Sequence, residues 1–540
     1  MEDPATRILL KNGFIVDGTG KKGTRGDLLI QGTKIEKISE TPLEADFEIV
    51  DCTDKVVAPG FIDMHSHMDW ILPIPGRSDL KSPFTAQGCT TFVAGNCGYS
   101  PAGFIEGSQF KDLISLGGNL PYDIKWNTFN GYFKHLEEIG LSHNLVNLVG
   151  HGTTRASIRG FDASPLNPEE MQRLLELLEE SLDQVAAGVS FGLGYEPGIF
   201  ATNDEIKAIA RLVKSKEKIM TVHGRAYSAL SQLYPIEPEG TPHNVISIQE
   251  MLAIARETGV RLQYSHLMFA GSNSHPTYGR CLEVLDRAVQ EGLDVMIDTY
   301  PYHCGNSIIN VILPPWFLAD LPKNYHDPEA LARLEGEVEF VSQALGFGYD
   351  NIQVSHASHS ELNQYNGLFL SDIAEERGIR PFQVAIEFSE KTGGRARILN
   401  HNYSNMEIID ALIRYPQCLF MTDTVVNPEG GVQNPATSGS FPLLLQYARD
   451  RKLLSLEDTV HKMTGASAER FNLKDRGVLR EGLAADITIF DWKTVRDNNT
   501  VAETGEHPTG IEAVFINGRR VKTSGQVDET ANAGTTLPIY

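Results

Sequence analysis

Between Pro168 and Asp423 the sequence repeats one unit: an amphipathic helix, then a short apolar run that ends on a polar residue. The clearest helix is expected from Pro168 to Ala187. Asn167 is placed to cap it, Pro168 suits its first position, and Met171, Leu174, Leu175, Leu178, Leu182 and Val185 form one stripe. Gly188 stops it, and Val189-Ser190-Phe191-Gly192-Leu193 follows as a strand. Helices near 204–214, 248–257, 282–290 and 406–414 lead in the same way into runs ending at His223, His266, Asp298 and Asp423. Such alternation specifies a parallel sheet with helical crossovers. Periodicity alone leaves an open sheet and a closed barrel equally possible.

The two ends have a different texture. Ile8-Leu9-Leu10, Phe14-Ile15-Val16 and the runs flanking Gln31-Gly32-Thr33 read as strands and tight turns, as do Ile487-Thr488-Ile489 and the residues around Asn517-Gly518. One small sheet domain assembled from both termini is expected, with divisions at 1–58, 59–474 and 475–540. The Pro- and aromatic-rich stretch near 303–350 reads as an insertion. About nine strand candidates, with Arg397–His401 among them, leave one in excess.

Composition narrows the class of partner. A net charge of −23 argues against nucleic acid, whose phosphates require concentrated Lys and Arg. No apolar stretch approaches the length of a membrane span, and the opening Met1-Glu2-Asp3-Pro4 lacks the pattern of a signal peptide. Six scattered cysteines fit a reducing compartment better than a disulfide scaffold. The expectation is a cytoplasmic enzyme with a small-molecule substrate.

Reactive residues gather at the carboxyl ends of parallel strands, and here His, Cys and Asp recur at that position. His65-Ser66-His67 follows Phe61-Ile62-Asp63-Met64; residues two apart on a strand share a face, so two imidazoles meet one metal ion. His223 and His266 close successive strands. Cys97 lies in the glycine-rich Gly95-Asn96-Cys97-Gly98, where a thiolate is able to bridge two zinc ions. Asp423 ends an apolar strand, and a carboxylate beside zinc takes the proton of an attacking water. His151 and His401 are candidate hydrogen-bond partners of the substrate or its oxyanion.

Gly60-Phe61-Ile62-Asp63-Met64-His65-Ser66-His67 resembles the first-strand motif of the amidohydrolase superfamily. Together with the Cys97 loop, Val149-Gly150-His151-Gly152-Thr153-Thr154-Arg155 and Asp298-Thr299-Tyr300-Pro301-Tyr302, it resembles the N-acyl-D-amino-acid deacylases, or D-aminoacylases. The resemblance implies an α/β chain with a (β/α)8 TIM-type barrel and a small β-sandwich domain. It implies one or two zinc ions and hydrolysis of an N-acyl-D-amino acid. Cys97, His223 and His266 would hold the tighter zinc, with His65 and His67 at a second position and Asp423 as acid/base. His151, Arg155, Arg225, Tyr302 and His401 are expected to face the substrate.

The sequence departs from that family at positions suited to recognition. Met268 stands where a lysine is usual, Asn434-Pro435-Ala436 replaces a His-Pro-Arg segment, and Thr422-Asp423-Thr424 replaces Ser-Asp-Gly. Glu196 stands in Gly194-Tyr195-Glu196-Pro197-Gly198 where an apolar residue is frequent. Lost cations would be made good by Arg155, Arg225, Arg397 or His303, or the substrate lacks the carboxylate they would bind. Opening of a cyclic amide, as by hydantoinases and dihydroorotases, is the alternative reaction; a binding protein on the same fold is a third reading.

Overall fold

A computed structural model describes residues 6–110, 121–237, 240–501 and 503–540, so the opening Met1-Glu2-Asp3-Pro4 lies outside the described residues. The chain is mixed α/β. Parallel strands form two groups. Phe61–Asp63, Cys89–Ala94 and Asn144–Asn147 make one; Val149–Gly150, Gly188–Gly192, Ile219–His223, Arg261–Tyr264, Val295–Thr299 and Cys418–Phe420 make the other, adjacent in that order. Backbone hydrogen bonds from Leu148 N to Ala94 O (2.8 Å) and from Ala187 N to Asn147 O (2.8 Å) join the groups where Asn144–Asn147 runs into Val149–Gly150. At the opposite edges, Asp423 N donates to His65 O at 3.0 Å and Thr422 N donates to Asp63 Oδ1 at 2.9 Å.

The parallel register sets the site. Gly192 lies beside His223, Tyr264 beside both Val222 and Ile297, and Thr299 beside Phe420. The carboxyl ends are therefore level, and residues just past them share one rim.

The Pro168–Gln184 helix illustrates how local sequence places these strands. Asn167 Oδ1 accepts from Glu169 N and Glu170 N, while Glu170 returns a bond to Asn167 N. Leu174, Leu177, Leu178 and Leu182 are buried. The helix stops at Gln184 rather than Ala187, because Val185 leaves helical geometry and the Ala187 amide already bonds the neighbouring strand.

Both termini meet in one nine-stranded sheet, in which Arg7–Ile15 lies between Val56–Pro59 and Thr24–Gln31, and Ile487–Phe490 pairs with Val56–Pro59. It has its own apolar cluster, including Ile8, Leu10, Leu28, Ile30, Ile487 and Phe515. Asn517 and Gly518, both at positive φ, form the turn joining Ile511–Ile516 to Arg519–Thr523.

The surplus strand candidate has a different destination. Arg397–Asn400 pairs antiparallel with Gly305–Ile308 and Ile352–His356, in a separate three-stranded sheet between the Val295–Thr299 and Cys418–Phe420 strands. The expected insertion near 303–350 thus belongs to a longer segment reaching Asn400, with a core that includes Val354, Phe388 and Ile398.

Candidate metal centre

Six side chains from five strand ends meet at the rim. Cys97 Sγ lies 3.3 Å from His65 Nε2, 3.4 Å from His266 Nε2 and 3.9 Å from His223 Nδ1. His223 Nδ1 and His266 Nε2 are 2.9 Å apart. Asp423 Oδ1 is 3.2 Å from His65 Nε2 and 3.5 Å from His67 Nε2. The ligand atoms fall into two sets that share Cys97: His65, His67, Cys97 and Asp423, and Cys97, His223 and His266, each within 4.8 Å.

The donor chemistry fits zinc. Zn–N bonds of about 2.0–2.1 Å and Zn–S bonds of about 2.3 Å give a tetrahedron with edges of roughly 3.3–3.6 Å, close to most of the separations above. Imidazole, thiolate and carboxylate together are a borderline-soft set suited to that ion. Burial alone would raise the Cys97 thiol and the Asp423 carboxyl. The positive charges of His65 and His266 outweigh it, holding the thiol well below its ordinary value and the carboxyl below the usual carboxylate range. Both groups are thus preset in the deprotonated form that a cation requires.

The backbone is specialised at the same place. Cys97, His266 and Asp423 all have positive φ, at 55°, 32° and 51°. Non-glycine residues seldom adopt this region, and each is held there by its neighbours. Tyr195 Oη donates to Cys97 O (2.7 Å), His266 N donates to Asp298 Oδ1 (2.6 Å), and Asp423 N donates to His65 O.

Comparison with known proteins places this arrangement. The model of the amidohydrolase family matches residues 48–522. This chain belongs to the amidohydrolase family. Over 519 residues it is 30% identical to the D-aminoacylase of Alcaligenes xylosoxydans xylosoxydans, covering 95% of this chain and 94% of that protein. The N-acyl-D-aspartate deacylase of the same organism is 28% identical over 95% of this chain and 91% of its own length. Among solved structures, the N-acyl-D-glutamate deacylase of Bordetella bronchiseptica, complexed with zinc and a phosphonate mimic of the tetrahedral intermediate, superposes with a TM-score of 0.79 at 26% identity, covering 98% of this chain and 99% of that one. The L-hydantoinase of Arthrobacter aurescens, at 15% identity and a TM-score of 0.56 over 98% of this chain and 99% of that one, shares the fold.

In this amidohydrolase, several residues expected at the substrate are hydrogen-bonded to other groups of the chain. His151 Nε2 bonds Glu205 Oε1 at 2.7 Å, and its ring stacks on Phe191. Arg155, fully buried, lies 3.3 Å from the same carboxylate and donates to the carbonyls of Asp162 and Ser164. Arg225 binds Glu250 and the carbonyls of Ile199 and Ala201. His401 bonds Gln353, and His303 bonds the Ser404 carbonyl. Arg397 donates to Val426 O, just beyond Asp423.

Tyr302 lies near His266, its hydroxyl donating to Asp497 Oδ2 at 2.7 Å. With Leu267, Met268, Tyr300, Tyr403 and Ser404 it lines a cavity that opens beside His266. Two further functional positions had a visible signal only in part. Asp298 closes its strand, as the sequence shows, and stands 3.5 Å from His65 Nδ1. Behind it, Gln263 Nε2 donates to Asp298 Oδ2 (2.7 Å), and Arg470 Nε donates to Gln263 Oε1 (3.0 Å). A buried Gln between Leu262 and Tyr264 was the available clue to that link.

Proposed function

We propose that this amidohydrolase is a zinc-dependent enzyme that cleaves the amide bond of an N-acyl-D-amino acid or a closely related N-acyl compound. The observation that carries this reading is the convergence of six ligand atoms, from His65, His67, Cys97, His223, His266 and Asp423, on one rim. Likeness to D-aminoacylase along nearly the whole chain supports the same chemistry. Cys97, His223 and His266 would hold one zinc ion; His65 and His67, with Cys97 shared and Asp423 adjoining, would hold a second.

Bound zinc supplies Lewis acidity toward the substrate carbonyl and lowers the pKa of water. The chain's own part centres on Asp423. Its Oδ1, ionised and lying beside His65 and His67, would accept the proton of the attacking water and return it to the departing amine nitrogen. Burial of His65, His67 and Cys97 excludes bulk water from the rear of the site.

The proposed frame is a (β/α)8 barrel, with residues 59–474 as the catalytic part and residues 1–58 and 475–540 as a small β-sandwich. Hydrogen bonding between the strand groups at both edges supports closure. Among the described residues no helix is long and apolar enough to cross a membrane. Six free, buried cysteines support a reducing, cytoplasmic setting.

A hydrolysis panel of N-acyl-D-amino acids, their L-enantiomers, amides lacking a carboxylate and cyclic amides tests the proposal, with zinc measured on the same sample. D-selective release of free amine, abolished by a chelator and restored by Zn²⁺, is expected. Ring opening of a hydantoin without cleavage of any N-acyl substrate would overturn it.

A further inference from the structure

Between Phe420 and Ala436 the chain forms neither helix nor strand, and Asp423 sits in this segment. Thr424, Val426, Asn427 and Asn434 are nevertheless buried. A buried segment with no ladder of its own must find partners for its polar groups elsewhere in the fold.

Many of those partners come from the insertion, and each strand of its three-stranded sheet supplies one side chain. Asn306, in Gly305–Ile308, brackets Val425. Its Oδ1 accepts from Val425 N at 3.4 Å and its Nδ2 donates to Val425 O at 3.5 Å. The same Oδ1 accepts from Asn434 Nδ2 at 2.8 Å. Ser355, in Ile352–His356, accepts from Asn427 Nδ2 and donates to Val432 O, both at 2.6 Å. Its carbonyl accepts from Val432 N at 2.8 Å. Arg397, in Arg397–Asn400, donates to Val426 O at 3.3 Å.

The insertion is tied down elsewhere as well. Ser272 N donates to Gly346 O at 3.3 Å and Asn273 N donates to Leu345 O at 3.1 Å, in the loop that follows His266. Asp423 is thus held from two directions. Its own N–H donates to His65 O, and the residues just after it are bonded to the insertion sheet. A φ of 51° is unfavourable for a residue other than glycine, so the backbone at Asp423 keeps this conformation only while its neighbours impose it.

We propose that the insertion sheet is a brace for Asp423, and that Asn306 is the positioning residue through which it acts, by fixing Val425 two residues beyond the carboxylate. The inference rests on the proposed role of Asp423 as acid/base and names what keeps that group in place.

The test compares Asn306→Ala with the unaltered full chain, both zinc-loaded, on N-acetyl-D-methionine. A drop in kcat of about tenfold or more is expected, because small misplacement of a reacting group is enough for such a loss. KM should stay within about twofold, the pattern of an interaction that matters only in the transition state. Zinc content should be unaltered. Ser355→Ala reaches the same segment from another strand and should act in the same direction. A merely structural role would lower the unfolding midpoint and leave kcat per folded, zinc-bearing molecule as it was; that result in both variants overturns the proposal.

Hydrogen exchange of the segment 421–433 supplies a readout that needs no turnover. In Asn306→Ala it should quicken by about tenfold or more, as the Val425 amide loses its acceptor, while exchange over Ile219–His223 is unchanged. If N-acetyl-D-methionine is not hydrolysed, or if Asp423→Asn is as active as the parent, the acid/base reading fails and exchange alone decides the brace. Faster exchange confined to 421–433 sustains it; exchange equal to that of the parent overturns it.

Discussion

Asp298 accepts the backbone N–H of His266 through Oδ1 at 2.6 Å, so one carboxylate governs both the strained backbone of one proposed zinc ligand and the rear of another. The same oxygen is 3.5 Å from His65 Nδ1. A carboxylate there favours the tautomer with the proton on Nδ1, leaving the Nε2 lone pair toward Cys97 and Asp423.

Asp298→Asn keeps the shape and removes the charge. Zinc affinity and kcat are each expected to fall about 10–100-fold, the usual range for loss of an outer partner of a metal-binding imidazole. Gln263→Leu, which strips one donor from Asp298, should give a smaller loss in the same direction. Competition with a zinc-sensitive chelator, run beside steady-state kinetics, measures both. Unaltered zinc affinity in Asp298→Asn would exclude the positioning role.

Cys97 offers a way to separate ligand from backbone. Its φ of 55° suits glycine, so the native residue is held there at a conformational cost. Cys97→Ala and Cys97→Gly should both lower zinc content and turnover. The glycine variant should nevertheless be the more stable of the two apo proteins, by about 1 kcal/mol. Denaturant titration of the two metal-free variants checks this; a more stable alanine variant contradicts it.

The parts of this site that were legible in the sequence are those fixed by local rules. His65 and His67 stand two residues apart just past Phe61–Asp63, and His223, Cys97, His266 and Asp423 end or follow apolar runs, so the carboxyl ends of parallel strands bring them to one rim. The ion pairs of Arg155 with Glu205 and of Arg225 with Glu250 were illegible because the two carboxylates sit on helices further along the chain, and only folding brings them together. Ile398-Leu399 has the apolar pattern of a parallel strand, yet it pairs antiparallel with Gly305–Ile308; periodicity encodes burial and not the identity of the partner strand. The Gln263–Asp298 link crosses between strands and leaves no spacing to read.

Arg155 is expected to matter for stability and not for substrate affinity. It is fully buried against Glu205, which also holds His151. Arg155→Ala leaves a buried carboxylate short of its cation, a change that costs about 3–5 kcal/mol. The midpoint of denaturation should drop accordingly, while KM of the surviving folded enzyme stays within about twofold, since uniform substrate binding is untouched. A large rise in KM without loss of stability would return Arg155 to the substrate site.

His143 sets a pH dependence remote from the metal-binding residues. The ring is fully buried, with Nε2 3.0 Å from Thr85 Oγ1 and Nδ1 2.9 Å from Ser142 Oγ, and it packs on Phe92. Burial first, and the Lys81 charge second, push its pKa down to about 3 from an ordinary 6.5. Between those values the unfolded chain binds a proton that the folded chain refuses, so stability rises with pH across the window and is lost as pH falls through it. One group contributes a slope of up to about 1.4 kcal/mol per pH unit. His143→Gln keeps polar contacts without titrating, and it should flatten the fall in unfolding free energy from pH 6.5 to 4.5, measured by denaturant titration of the metal-free chain. Parallel pH profiles for the two proteins would show that His143 is not the group that takes up the proton.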